Sequence, residues 1–158
     1  MSGEDRVGAL AARLDQGGAK VEATLRALPP DRWASIVYRC PTPWTVRDVI
    51  AHLLSAECAL LLLAQDVASR GSGSPDGFDY HGFNWEEQEK FQSHSPDDLL
   101  LQLGRARLET IEWVRSFQPS VLENRGRHRG LGLTTLETML NAMQGHQLLH
   151  LHNIAKLR

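Results

Sequence analysis

Cysteine is scarce: the 158-residue chain has only Cys40 and Cys58. They form no C-x-x-C pair and match no zinc-knuckle spacing, so neither a disulfide framework nor a zinc ribbon organises the fold. A single bridge between them stays open, as does the commoner fate of such thiols, burial as small hydrophobes. Long apolar runs are missing too. The longest, ALLLLA at 59–64, is far below the roughly 20 residues that a membrane-spanning helix needs. The opening stretch MSGEDRVGALAARLDQ has neither the basic nor the apolar region of a secretory signal. A cytoplasmic protein with no membrane partner is therefore expected. Charge of one sign is also absent: 17 Lys and Arg stand against 19 Asp and Glu, a net −2. Duplex-binding proteins carry a basic footprint, so no nucleic-acid partner is expected. No segment sustains the alternation of a strand, and no internal repeat or low-complexity block stands out.

What remains is the balance of a soluble globular chain, 42% hydrophobic and 23% charged, long enough to bury a core as one domain over residues 1–158. Its punctuation separates four helices. The first, about Glu4 to Leu28, carries Val7, Leu10, Leu14, Val21, Leu25 and Leu28 near helical spacing and is stopped by Pro29 and Pro30. Gly17 and Gly18 should weaken its middle. After a connector with Trp33, Cys40 and Trp44, the second helix opens at Thr45, where T-V-R-D supplies an N-cap hydroxyl and an acid three residues on. It should end near Ser69. Residues 71–94 then form a long connection with a short helix in NWEEQEKFQS, longer than neighbours in a simple up-down bundle require. S-P-D-D at 95–98 starts the third helix, which runs to about Phe117. T-T-L-E at 134–137 reads as a capping box for the last, which ends near Leu157. The class is all-α: a four-helix bundle with a long crossover between its second and third helices.

The chemistry concentrates in GHQLLHLHNI, residues 145–154. At about 100° per residue, His146 and His150 share the stripe of Leu136, Met139, Leu140, Met143, Gln147, Ile154 and Leu157, which should face the core. His152 points nearly the opposite way. A pair at i and i+4 stacks two imidazoles on one face, where both can bind one ion, and two imidazoles on a core-facing stripe need hydrogen-bond partners or a cation. His52, two turns into the second helix at the margin of its apolar face, is the candidate third ligand, with an edge histidine as the alternative. Three histidines with open positions suit Zn, Ni or Fe rather than Mg or Ca.

The pairing of W-T-V-R-D-V-I-A-H-L (44–53) with G-H-Q-L-L-H (145–150) resembles the DinB-like superfamily, which includes thiol-dependent S-transferases and mycothiol-dependent maleylpyruvate isomerases. The resemblance spans nearly the whole chain. It implies up-down-down-up topology, a divalent metal on His52, His146 and His150, a low-molecular-weight thiol as a further cofactor, and a homodimer. The chain departs from the family pattern at Leu149, where many members carry the first histidine of an adjacent pair, and at Asn153, where a glutamine is frequent.

Other residues carry weaker signals. Glu57 falls on the apolar face of the second helix, where an unpaired carboxylate is costly; it could accept a histidine N–H, act as a catalytic general base, pair with an arginine, or reach solvent at the bundle end. Trp44 is expected to pack beneath the start of the second helix. RGRHRG at 125–130 could clamp a carboxylate or be a solvated loop, and His81 and His94 could flank a site mouth. The leading expectation is a divalent-metal-dependent enzyme acting on a small-molecule substrate, an S-transferase or hydrolase in which the ion lowers the pKa of a bound thiol or water. The alternative is a non-catalytic metal-binding or dimerising bundle.

Overall fold

A computed structural model describes residues 3–157; the expected domain limits at residues 1, 2 and 158 lie outside the described residues. Four long helices, α1 (Gly3–Arg26), α2 (Val46–Ala68), α4 (Pro96–Arg115) and α5 (Leu136–Ala155), form the expected all-α bundle, and a shorter α3 (Tyr80–Lys90) lies in the crossover. Three of the starts are written in local chemistry. Thr45 and Asp48 form a reciprocal capping box at α2, and Ser95 and Asp98 form another at α4 with Pro96 in its first turn, each satisfying backbone N–H groups that the first turn leaves orphaned. At α5 the cap is Thr135, not Thr134, and its hydroxyl accepts from the Thr138 N–H at 3.3 Å. The expected capping box does not form there: with Thr135 as the cap, Thr138 takes the N3 position, and Glu137, at N2, pairs with Arg6 of α1.

Two apolar clusters reveal the helix directions. One joins Val21 and Leu25 at the end of α1 to the early α2 residues Val46–Leu54, to Leu99–Leu103 at the start of α4, and to Leu151 and Ile154 near the end of α5. The other joins the start of α1, the end of α2, the end of α4 and the start of α5. Helices α1 and α5 therefore run one way, and α2 and α4 the other, in up-down-down-up order. Both α1 and α2 pack on α4 and on α5, so the first two helices sit diagonally rather than side by side. Because α2 and α4 are parallel neighbours, the chain must climb back about 30 Å, the length of a twenty-residue helix, before α4 can start. This is the physical reason for the long crossover.

The crossover is tied down at both ends. Near its start, Ser74 N–H donates to Arg127 O and Arg127 N–H to Ser72 O, each at 2.8 Å. Gly73 sits between them at φ +82°, where a Cβ would lie 2.4 Å from Arg127 O, so only glycine fits this approach. Near its end, Arg47 of α2 donates to the backbone oxygens of Phe91 and His94. Two hairpins complete the fold: β1 (Ile36–Tyr38) with β2 (Trp44–Thr45), and β3 (Arg125–His128) with β4 (Gly132–Thr135). Neither was expected from the sequence, since strands of two to four residues are too short to display period-two alternation. Among the described residues, no helix is long and apolar enough to cross a membrane.

Gly17 and Gly18 do more than weaken α1. A Cβ on Gly17 would lie 2.1–2.3 Å from the Gln144 amide, and one on Gly18 2.8 Å from Arg107 Cγ. Both glycines admit buried polar side chains from α4 and α5. Gly18→Ala is therefore expected to destabilise the protein by about 1–3 kcal/mol, the usual cost of overpacking. Urea denaturation reads the sign: a gain of about 0.5–1 kcal/mol, as helix propensity alone would give, would mean that Arg107 yields without cost.

Candidate metal centre

The α2 cap and the hairpin before it set one wall of the site. With Thr45 fixed as N-cap, His52 emerges two turns later toward α5, and the β2 residue Trp44 lies on it at 5.0 Å between ring centroids. Trp44 also packs on the core cluster that contains Val49, so it supports the helix start as expected and covers a histidine as well. On α5 the four-residue spacing stacks His146 and His150. The Nε2 atoms of His52 and His146 are 3.1 Å apart, as are those of His150 and His146. All three histidines can present ligand atoms within 4.8 Å of one another.

Two nitrogens bound to one ion at about 2.0–2.1 Å stand roughly 3.0–3.4 Å apart, so the observed separation suits a shared cation. The hydrogen-bond chemistry agrees. Nε2 of His146 offers one in-plane direction, an N–H or a lone pair, to two facing nitrogens, and a cation satisfies all three lone pairs together. Burial, then the neighbouring imidazoles, pushes the His52 pKa down to about 3 and the His150 pKa to about 4; burial lowers His146 as well. At neutral pH the rings are uncharged, the form that binds metal.

The outer contacts orient the rings. Tyr38 Oη lies 2.7 Å from His150 Nδ1 and also accepts from Asn153 Nδ2 at 2.9 Å. With Nδ1 carrying the proton, the His150 lone pair is turned toward the other two histidines. The replacement at Asn153 noted in the sequence thus reaches the site through a tyrosine. Tyr38 was missed by sequence reasoning, because it arrives on a three-residue strand with no helical register. His52 Nδ1 is buried without a hydrogen-bond partner, and Asn84 of α3 lines the same cavity.

Glu57, expected at the site, in an ion pair or in solvent at the bundle end, is not in solvent but lies in a buried polar network beside the site. Its Oε2 accepts from Arg107 Nη2 at 2.8 Å and from Gln147 Nε2 at 3.0 Å, and its Oε1 from Thr110 Oγ1 at 2.8 Å. Arg107 also donates to Gln144 Oε1 at 2.9 Å. Glu57 is 2% exposed and Arg107 4%. None of the Glu57 partners is a histidine.

In front of the triad lies a cavity of about 860 Å³, whose walls include Tyr38, Trp44, His52 and His150, with His81, Asn84 and Trp85 from α3. His81 therefore borders the site, as the sequence suggested. His94 instead packs edge-on to Phe91, and the arginines of RGRHRG go elsewhere: Arg127 pairs with Asp76, and Arg129 lies over Phe78. Both cysteines are free and exposed rather than bridged or buried, and Cys40 lines the cavity rim.

The sequence model of the DinB superfamily matches residues 13–154. Among solved structures, the chain is similar to YfiT from Bacillus subtilis, a probable metal-dependent hydrolase with an unusual four-helix bundle topology. The TM-score is 0.77 at 18% identity, covering 99% of this chain and 87% of that one. An uncharacterised protein from Escherichia coli UTI89 gives 0.74 at 16% identity, covering 95% and 91%. A mycothiol-dependent maleylpyruvate isomerase gives 0.73 at 15%, covering 98% of this chain but 61% of that one, so the chain spans about three fifths of that isomerase. No curated protein matches the chain significantly by sequence. At these identities the structural likenesses show a shared fold.

Two outcomes are expected. The triad histidines have folded pKa values below the ordinary 6.5, so on acidification the unfolded chain takes up protons that the folded chain refuses. Their contribution to stability is complete above about pH 6.5 and declines as pH falls toward 4. The Tm of metal-free protein should drop between pH 7 and 4.5, less steeply in a His52→Gln/His150→Gln variant; equal slopes would mean that the rings are not desolvated as described. Glu57→Ala, which leaves the Arg107 charge buried and unpaired, should cost about 3–5 kcal/mol in chemical denaturation, and a loss below about 1 kcal/mol would show that water reaches the guanidinium.

Proposed function

The chain belongs to the DinB superfamily, and from that premise we propose that it is a metal-dependent enzyme in which His52, His146 and His150 hold one divalent ion, Zn, Ni or Fe, beside a small-molecule cavity. The observation that carries this reading is the convergence of three uncharged imidazoles from two helices on one point. Three protein ligands leave positions open, the pattern of catalytic rather than closed structural sites. When bound, the ion supplies Lewis acidity that lowers the pKa of water or a thiol at neutral pH.

The chain's own residues do the rest. Tyr38 holds His150 in the tautomer whose Nε2 is free, and Asn153 holds Tyr38. Trp44 covers His52 and keeps water from one side of the ring. Trp85 and Trp44 offer flat apolar walls against which a substrate body can lie. Glu57 is assigned a positioning role rather than proton transfer, because both its oxygens are occupied by donors while Gln147, the residue after His146, hangs from one of them. The reaction we favour is hydrolysis or transfer to a low-molecular-weight thiol. The first is supported by the likeness to a probable metal-dependent hydrolase and the second by the likeness to a mycothiol-dependent isomerase.

Elemental mass spectrometry on tag-free protein tests the reading. Near one equivalent of metal is expected in the wild type and none in His52→Ala or His146→Ala/His150→Ala. Tyr38→Phe should retain the site with metal affinity reduced about 10–100-fold, the usual effect of losing such an outer contact. Cobalt-substituted protein should change its visible spectrum on addition of a thiol. No metal after reconstitution would overturn the proposal, and a spectrum indifferent to added ligands would remove its catalytic part.

A further inference from the structure

Helix α3 contributes to the walls of two cavities. Beyond the triad cavity lies an open groove of about 580 Å³ between α2, the crossover and the second hairpin. Its walls are largely apolar: Ala59, Leu62 and Leu63 of α2 face Phe78 and Phe83, and Leu62 is 67% exposed. The volume is in the range of small-molecule sites. At its edge stands Arg129, whose guanidinium carbon lies 3.9 Å above the Phe78 ring centroid and 5.0 Å from that of Phe83.

The Arg129 side chain is partly buried and yet unpaired. Among the described residues no hydrogen bond or ion pair reaches the Arg129 guanidinium, and its Nε is buried without a partner, whereas the other arginines that lack a partner, such as Arg70 and Arg105, are exposed to water. The acid that shares the groove, Glu87, is taken by Lys90. Stacking on the phenylalanines occupies a face of the guanidinium and leaves its edge donors unused. A half-buried cation with unmet donors beside apolar walls is complementary to one kind of ligand. A planar carboxylate supplies two acceptors in the fork geometry of arginine and neutralises its charge, while an apolar body removes the groove walls from water.

The geometry points to a second ligand site, separate from the histidine triad, that binds a small carboxylate with an apolar body: the carboxylate on Arg129 and the body along Leu62, Leu63 and Phe83. The site does not depend on metal at the triad.

Octanoate is a suitable probe, with octanamide as its uncharged counterpart, in titration calorimetry on the full chain. Saturable binding of octanoate is expected, with octanamide and the Arg129→Gln variant about tenfold or more weaker, as loss of a charge-assisted hydrogen bond implies. Cys58→Trp places a ring in the groove from an exposed α2 position and should abolish binding without disturbing Arg129, which keeps the test valid if Arg129→Gln fails to fold. His150→Ala should leave octanoate affinity unchanged. The two free cysteines report position: octanoate should slow maleimide labelling of Cys58, in this groove, and not of Cys40, at the triad cavity. No saturable binding, equal affinity for octanamide, or affinity lost in His150→Ala with protection of Cys40 would overturn the assignment.

Discussion

A carboxylate and a guanidinium are buried together where three helices meet, and the geometry of the histidine triad depends on their pairing. Glu57 of α2, Arg107 and Thr110 of α4, and Gln144 and Gln147 of α5 satisfy one another where water scarcely reaches. Leaving one charge without its partner costs several kcal/mol, so relative sliding of these helices is penalised far more steeply than slippage of leucines would be. His52 lies five residues from Glu57, and His146 directly precedes Gln147. The register that pairs the charges is the register that brings the imidazole nitrogens together. The glycine pair in α1 belongs to the same arrangement, because its missing side chains are the space that Arg107 and Gln144 fill.

The second constraint is topological. Parallel packing of α2 on α4 obliges the chain to return the length of the bundle, and the returning segment becomes functional material. Its helix α3 brings Asn84 and Trp85 to the triad cavity and Phe83 to the groove under Arg129. The small hairpins act similarly: one delivers Tyr38 and Trp44 to the histidines, and the other holds the start of the crossover while presenting Arg129. The bundle supplies the rigid histidines, and the connections supply the walls.

Much of this was legible in the chain. The starts of α2 and α4 were readable because capping boxes and a first-turn proline act within four residues. The stripe on α5 separated His146 and His150 from His152, which is exposed as expected, since helical periodicity decides which side chains share a face. The start of α5 was misplaced by one residue because two adjacent threonines, Thr134 and Thr135, can each cap a helix, and the local pattern does not choose between them. Tyr38 was invisible for a different reason: its meaning lies in a hydrogen bond to a residue 112 positions away. For Glu57, burial in the apolar face could be read from the wheel, but the choice between base, acceptor and ion pair could not, because Arg107 and Thr110 lie fifty and more positions further on.

By itself, then, the sequence determined the helices, their caps, the need for a long crossover and the histidines able to share a face, because each follows from interactions within one or two turns. Only the tertiary structure decided which donors meet. It chose Arg107 for Glu57, Tyr38 for His150, Gln144 and Arg107 for the space above two glycines, and no acid for Arg129. Those choices depend on how separate elements pack, and packing is settled by shape and burial across the whole bundle rather than by any local pattern.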